Sequence, residues 1–190
     1  MNFTEAVAEV VATSKRPDKI LEARRAVNAA VSFYSQDADF KRDIEEMALA
    51  IDPLQYTANI PYTSLPRFRK FRYIKRGLTN DYLSELTGSK ITECNTMTDV
   101  YYLAGSGIRY SLKSLKSTLD IAYFQYPPTL TDAAPTHWML DVSPYMIIDR
   151  ALGQIFNSIG DDASSKRHEA WANVAYLGWR GDHLAVTEAR

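Results

Sequence analysis

The chain has 190 residues, of which 46% are hydrophobic and 24% are charged. This composition suits a globular protein with one substantial core, or with a core that carries a large insertion. No apolar run approaches the roughly 20 residues that a membrane-spanning helix needs. Residues 1–5, whose one charged side chain is the acidic Glu5, lack the basic and apolar regions of a signal peptide. We therefore expect assembly in a cytoplasm and no membrane partner. The single cysteine, Cys94, excludes an intrachain disulfide.

Helical periodicity is clear at the start of the chain. Asn2, with Glu5 three residues later, fits a capping box, and apolar side chains repeat at helical spacing up to residues 13–14. Pro17 suits the first turn of a second helix. The apolar stripe of this second helix predicts packing on one face, and polar residues, among them Asn28, occupy the other face.

Strand signals replace helical ones from residue 37 onward. Prolines at 53, 61 and 66 prevent a long helix there. Glycines 105 and 107 predict a hairpin turn, because glycine tolerates the positive φ of tight turns. Residues 81–86 fit either one helical turn or a loop. The stretches predicted to be strands are 44–51, 68–74, 100–103, 108–112 and 119–126.

Helical signals return after Pro135, first as a single turn over residues 136–140. Ser143 followed by Pro144 predicts a helix start with a capping hydroxyl, and Gly160 predicts its end. Asp161 or Asp162 then caps a last helix. Its expected core-facing stripe comprises Trp171, Val174, Ala175, Leu177 and Trp179.

Two expectations follow for the last helix. Trp171→Ala should open a core cavity that costs about 3–5 kcal/mol. Gly178 and Gly181 weaken the far end of the helix, so residues 182–190 should fray or dock elsewhere.

These patterns predict an α+β protein. Helices from residues 1–36 and 136–190 form one bundle, and residues 37–135 form a central antiparallel β-rich insertion.

A search for catalytic chemistry finds no site. Residues 168–172 begin like a zinc-protease helix, but alanine stands where the second histidine should be. Glu45 and Glu46 are adjacent and point to opposite faces of a strand, so they make no obvious acid–base pair. We expect no enzyme activity, no catalytic residues, no metal and no cofactor.

The most distinctive charged segment is 67–76, where six of ten residues are basic and three are aromatic. Such interleaving could bind nucleic acid, with cations on phosphates and rings on bases. The alternative is a soluble edge strand that meets an acidic protein partner. The candidate contact residues are Arg67, Arg69, Lys70, Arg72, Lys75 and Arg76.

The C-terminal half resembles the head-to-tail adaptor (connector, or head-completion) proteins of tailed bacteriophages, those of short-tailed phages above all. In both, a strand ends at two prolines, here Pro127 and Pro128, and two helices follow, separated by a short acidic turn at residues 160–162. The resemblance covers residues 119–180 in residue pattern, including Trp138 and the run 143–148, and most of the chain in layout.

This resemblance implies a structural virion protein at the head–tail junction, assembled in the host cytoplasm. Its partners would be further copies of itself in a ring, commonly a dodecamer, the portal protein, a tail or nozzle protein, and DNA that passes through the channel without sequence specificity. The C-terminal end is a candidate for portal docking, through His183, Leu184, Val186 and Arg190. The alternative function is a nucleic-acid-binding module that uses residues 67–76.

Overall fold

The structure is a computed structural model that describes residues 1–77, 81–114 and 117–184. Helices at both ends flank a sheet-rich middle, so the predicted α+β class is confirmed. The chain divides into two compact units. A helical unit combines residues 1–43 with the chain from residue 126 onward, and a sheet unit comprises residues 44–125.

The helical unit is built around one buried helix, α4 Pro144–Ser158, which packs against the other four helices of the described residues. Met146, Ile147 and Ile155 of α4 are almost completely buried, as the wide apolar face in the sequence predicts. The helices of this unit are α1 Phe3–Ser14, α2 Ile20–Asp37, α3 Trp138–Val142, α4 Pro144–Ser158 and α5 Asp162–His183.

The helix ends follow local capping chemistry, with one correction. Asn2 and Glu5 form the predicted capping box at the start of α1. Gly160 has a φ of 78° just after α4, and Asp161 accepts a hydrogen bond from the Ser164 amide at the start of α5. The prediction that the Ser143 hydroxyl caps α4 was wrong, because that side chain makes no capping hydrogen bond.

Over its described residues, the sheet unit contains two sheets, built from the strands β1 Ile44–Ala50, β2 Thr57–Pro61, β3 Phe68–Lys75, β4 Ser84–Glu85, β5 Val100–Ala104, β6 Gly107–Ser111 and β7 Thr118–Gln125. The first has three strands in the order β1-β7-β3, and the second has four strands in the order β2-β6-β5-β4. All pairs are antiparallel except the two-residue pair of β4 with β5, which is parallel.

The inner faces of the two sheets share one buried cluster. Ile121 and Tyr123 of β7 contribute from the first sheet, and Ile108 and Tyr110 of β6 contribute from the second. Side chains from both sheets therefore meet face to face, as in a small sandwich.

Two predictions for this unit need correction. Residues 81–86 form neither a helical turn nor only a loop, since Ser84 and Glu85 make the short strand β4. The hairpin between β5 and β6 is present, but neither Gly105 nor Gly107 has a positive φ. A Cβ at Gly107 would lie 2.2 Å from the Ile60 carbonyl oxygen, so glycine is required there by the close approach of β2.

Candidate interaction surfaces

The outward face of α5 is an exposed apolar surface. Trp171 is 52% exposed, Val174 is 73% exposed and Leu177 is 68% exposed. With Ala175 and Gly178, which are also exposed, these side chains form one stripe along the helix. The prediction that Trp171, Val174, Ala175 and Leu177 face the core was therefore wrong, and only Trp179 of that set packs against the core. We call these five residues, 171, 174, 175, 177 and 178, the α5 outer face.

The inward face of α5 is more polar than its outer face. Ser165, His168, Ala172 and Tyr176 are the buried residues of this helix. The helices α4 and α5 approach closely because Gly153 has no side chain, and a Cβ there would lie 2.8 Å from Cγ of Glu169. Helical spacing in the sequence identifies an apolar face and a more polar face of α5, but it does not tell which of the two is buried. The close approach of α4 at Gly153 determines that the more polar face is buried.

Polar contacts hold this helix pair together. The Ser165 hydroxyl donates to the Gly153 carbonyl oxygen at 2.9 Å, and Nδ1 of His168 lies 2.8 Å from Oδ1 of Asp149. The His168 ring also stacks on Phe156, with 5.4 Å between centroids. His168 of α5 therefore contacts α4 through two residues, and the Ser165 hydroxyl adds a hydrogen bond between the same two helices.

The C-terminal end of α5 packs into an aromatic cluster. The His183 ring stacks on Trp179 at 4.6 Å, and Trp179 stacks on Trp138 at 5.3 Å. Leu184 forms an isolated antiparallel bridge with Phe40. The candidate docking residues His183 and Leu184 thus lie half-buried against the helical unit. Of the two alternatives expected for residues 182–190, fraying or docking, the described residues 183 and 184 follow the second. Val186 and Arg190 lie outside the described residues.

A second aromatic contact joins α2 to α5 beside this cluster. The rings of Tyr34 and Tyr176 lie 4.6 Å apart, and the Tyr176 hydroxyl donates to the Asp37 carboxylate. Burial raises the pKa of Tyr34 to about 12. Burial and, to a smaller extent, the hydrogen bond to Asp37 also raise the pKa of Tyr176. Both phenols therefore stay neutral at physiological pH.

The basic segment 67–76 covers β3, an outer strand of the three-stranded sheet over the described residues. Arg67, Lys70 and Arg72 are exposed, whereas Arg69 is half-buried with its guanidinium 5.5 Å from the Phe124 ring. The register of β3 with β7 shifts at two places, so that Arg69 and Arg72 are the extra residues of two bulges.

The last two basic residues of this segment contact neighbours within the sheet unit. The Lys75 ammonium lies 4.5 Å from the Tyr73 ring and 5.0 Å from the Tyr82 ring. Arg76 pairs with Asp81 at 2.5 Å and with Asp99 at 3.4 Å. The structure therefore splits the six candidate contact residues into an exposed group, Arg67, Lys70 and Arg72, and a half-buried group, Arg69, Lys75 and Arg76.

Two kinds of reactive group were sought in the part of the chain that the structure describes, metal-ligand clusters and reactive thiols. No cluster of three or more His, Cys, Asp or Glu side chains there could hold a metal ion. Cys94 is buried, and burial raises the pKa of its thiol, which disfavours the nucleophilic thiolate. None of the helices over these ranges combines the length and the apolar character that crossing a bilayer requires.

Comparison with known proteins found neither a family model nor a curated protein that matches this chain.

Proposed function

We propose that the chain is a structural virion protein, a head-to-tail adaptor whose ring joins the portal to the tail and extends the DNA channel. The observation that carries this proposal is the α5 outer face. A helix that turns its most apolar stripe to solvent exposes surface that a partner protein can bury, and extended apolar patches of this kind mark interaction sites. The α5 outer face lies in the part of the chain whose residue pattern resembles the phage adaptors.

The test measures assembly with a partner. The native mass of the purified chain is determined alone and after mixing with the portal protein encoded in the same genome. A large symmetric complex in the mixture is the expected result. If the native mass of the chain is the same with and without the portal protein, the proposal is wrong.

A pair of matched variants makes this test specific to the α5 outer face. Val174→Asp with Leu177→Asp places charges on the stripe, and we expect it to abolish the complex because buried unpaired charges oppose association. The control is Lys166→Asp, an exposed change on the same helix that lowers the net charge of the chain by the same amount. Equal loss of assembly in both variants would count against the role of the α5 outer face.

The second candidate function is a nucleic-acid-binding module, favoured by the exposed cations Arg67, Lys70 and Arg72 on and beside β3. Such binding would weaken steeply with salt, because each cation on a phosphate releases counterions. Charge reversal at Arg69, Lys70 and Arg72 should then lower DNA affinity and reduce its salt dependence. Unchanged DNA binding in that variant would exclude this function.

A further inference from the structure

The three-stranded sheet has outer strands of opposite charge. Strand β1 carries Glu45 and Glu46, both exposed, and β3 carries the exposed Lys70 and Arg72. Over the described residues these two strands lie on opposite sides of β7. One side of this sheet is therefore acidic and the other is basic.

The strand register places the acidic residues of β1 and the basic residues of β3 at the same position along the strand direction, which we call the same height. Glu45 pairs with Tyr123 of β7, and Tyr123 pairs on its other side with Phe71. Glu46 likewise shares Ala122 with Tyr73. Arg72 lies between Phe71 and Tyr73, and Lys70 immediately precedes Phe71. A line drawn across the sheet thus joins the acidic pair directly to the basic pair.

Contacts within the sheet hold this height fixed. The Tyr73 hydroxyl donates to Oε1 of Glu46 at 3.0 Å, across the central strand β7, so this carboxylate leans over the sheet, and Glu45 lies on the opposite face of β1. The bridge between Lys75 and Tyr82 lies at the far end of β3, beyond Lys70 and Arg72. The charged part of β3 therefore stays at the outer side of the sheet.

We infer that copies of this chain associate side by side, with Lys70 and Arg72 of one copy against Glu45 of the next, while Glu46 adds to the negative charge of the same strand. Strands β1 and β3 both run antiparallel to β7 and so run parallel to each other. A second copy in the same orientation therefore presents its acidic strand to the basic strand of the first, at matching height. This contact is head-to-tail, and such contacts close into rings when the rotation between copies permits.

The bulges in β3 determine the kind of contact. A register shift on each side of Phe71 interrupts the regular backbone ladder, which disfavours a continuous sheet between copies. Charged side chains therefore supply the pairing, and complementary charges of this kind set orientation and exclude wrong partners. The inference rests on the proposed function in taking the partner as a second copy of the chain.

Two charge-reversal variants test the contact. The first, Lys70→Glu with Arg72→Glu, makes both outer strands acidic. The second, Glu45→Lys with Glu46→Lys, makes both basic. Sedimentation of the full chain at low salt should show association of the wild type that weakens with added salt. Each variant alone should associate at least about tenfold more weakly, because like charges then face each other.

An equimolar mixture of the two variants gives the decisive result. Each variant then meets the opposite charge on both of its outer strands, so association should return through alternating copies. The control, Lys90→Glu with Lys113→Glu, changes the net charge as the first variant does, at exposed positions outside β1 and β3. If either double variant fails to fold, Lys70→Glu and Glu45→Lys alone provide the same pair.

Three results would overturn the inference: a wild type that stays monomeric at low salt, variants that associate as the wild type does, or a mixture that does not recover. Portal binding is measured separately on the same samples. Recovery in the mixture without portal binding would keep this contact and reject the adaptor function. Portal binding without recovery would keep the adaptor function and reject this contact.

Discussion

The side-chain amide of Asn28 forms two hydrogen bonds with the backbone of Leu130. Its Nδ2 donates to the Leu130 carbonyl oxygen at 3.1 Å, and its Oδ1 accepts from the Leu130 amide at 2.7 Å. Asn28 lies on α2, and Leu130 belongs to the segment that follows the sheet unit. One amide therefore ties an N-terminal helix to the returning chain, 102 residues later.

Asn28→Asp should destabilise the helical unit by about 1–3 kcal/mol. The carboxylate can still accept from the Leu130 amide, but it cannot donate to the carbonyl oxygen that it then faces. Urea unfolding followed by circular dichroism measures the change. Asn173→Asp makes the same chemical change at an exposed position in the middle of α5 and should shift the free energy of unfolding by less than about 0.5 kcal/mol. Equal effects of the two changes would contradict this role of Asn28.

The close approach of α4 and α5 at Gly153 predicts a dependence on side-chain size. Gly153→Leu should destabilise by about 1–3 kcal/mol, because the added side chain has no space between the helices. Gly153→Ala should be better tolerated, since the flexible Glu169 side chain can turn aside and alanine favours the helix. Thermal melts of both variants provide the measurement. A leucine variant as stable as the wild type would show that the helices lie further apart.

Local signals in the sequence predicted the helix boundaries well. Pro144 begins α4 because its fixed φ suits a first helical turn, and Gly160 follows α4 in the left-handed region that glycine tolerates. These features depend on a few neighbouring residues, so one sequence is enough to recognise them. The α+β class followed from the same local patterns in chain order.

Features that depend on distant neighbours were missed. Asn28 was assigned to a polar outer face, yet it is half-buried, because its side-chain amide hydrogen-bonds the backbone of Leu130. From the sequence, the wrong face of α5 was assigned to the core, because the missing side chain of Gly153 lets polar Ser165 and His168 face α4. The matching heights of Glu45 and Arg72 could not be predicted either, because they depend on a register with two bulges.

Because Trp171 lies on the exposed face of α5, the expected cost of its substitution changes. Trp171→Ala should now cost about 1–2 kcal/mol, less than a core tryptophan, because half of the side chain is already in solvent. Tyr176→Ala, on the buried face, should cost about 3–5 kcal/mol. Urea unfolding of the two variants in parallel gives both values. A larger cost for Trp171 than for Tyr176 would restore the orientation predicted from the sequence.

The contacts of His183 predict that the end of α5 contributes to stability. His183→Ala removes the ring that stacks on Trp179 and should cost about 0.5–1.5 kcal/mol. Asp182→Ala, an exposed neighbour, should change stability by less than about 0.5 kcal/mol. Tryptophan fluorescence during urea unfolding reports on the cluster directly. A His183 variant that unfolds like the Asp182 variant would indicate that the ring makes no stabilising contact.

Asp161 should make the stability of α5 depend on acid. Hydrogen bonds from Ser164 lower the pKa of Asp161 below its ordinary value of about 4, so this contribution is present at higher pH. It is lost as the pH falls through the lowered pKa, because the protonated carboxyl is a poorer acceptor. Asp161→Asn keeps a capping oxygen without a titrating group, so the Tm advantage of the wild type should shrink as the pH falls below about 4. Asp162→Asn, which leaves the hydrogen bonds from Ser164 to Asp161 intact, serves as the control. A wild-type advantage over Asp161→Asn that stays constant across this pH range would show that the charge of Asp161 does not stabilise the helix start.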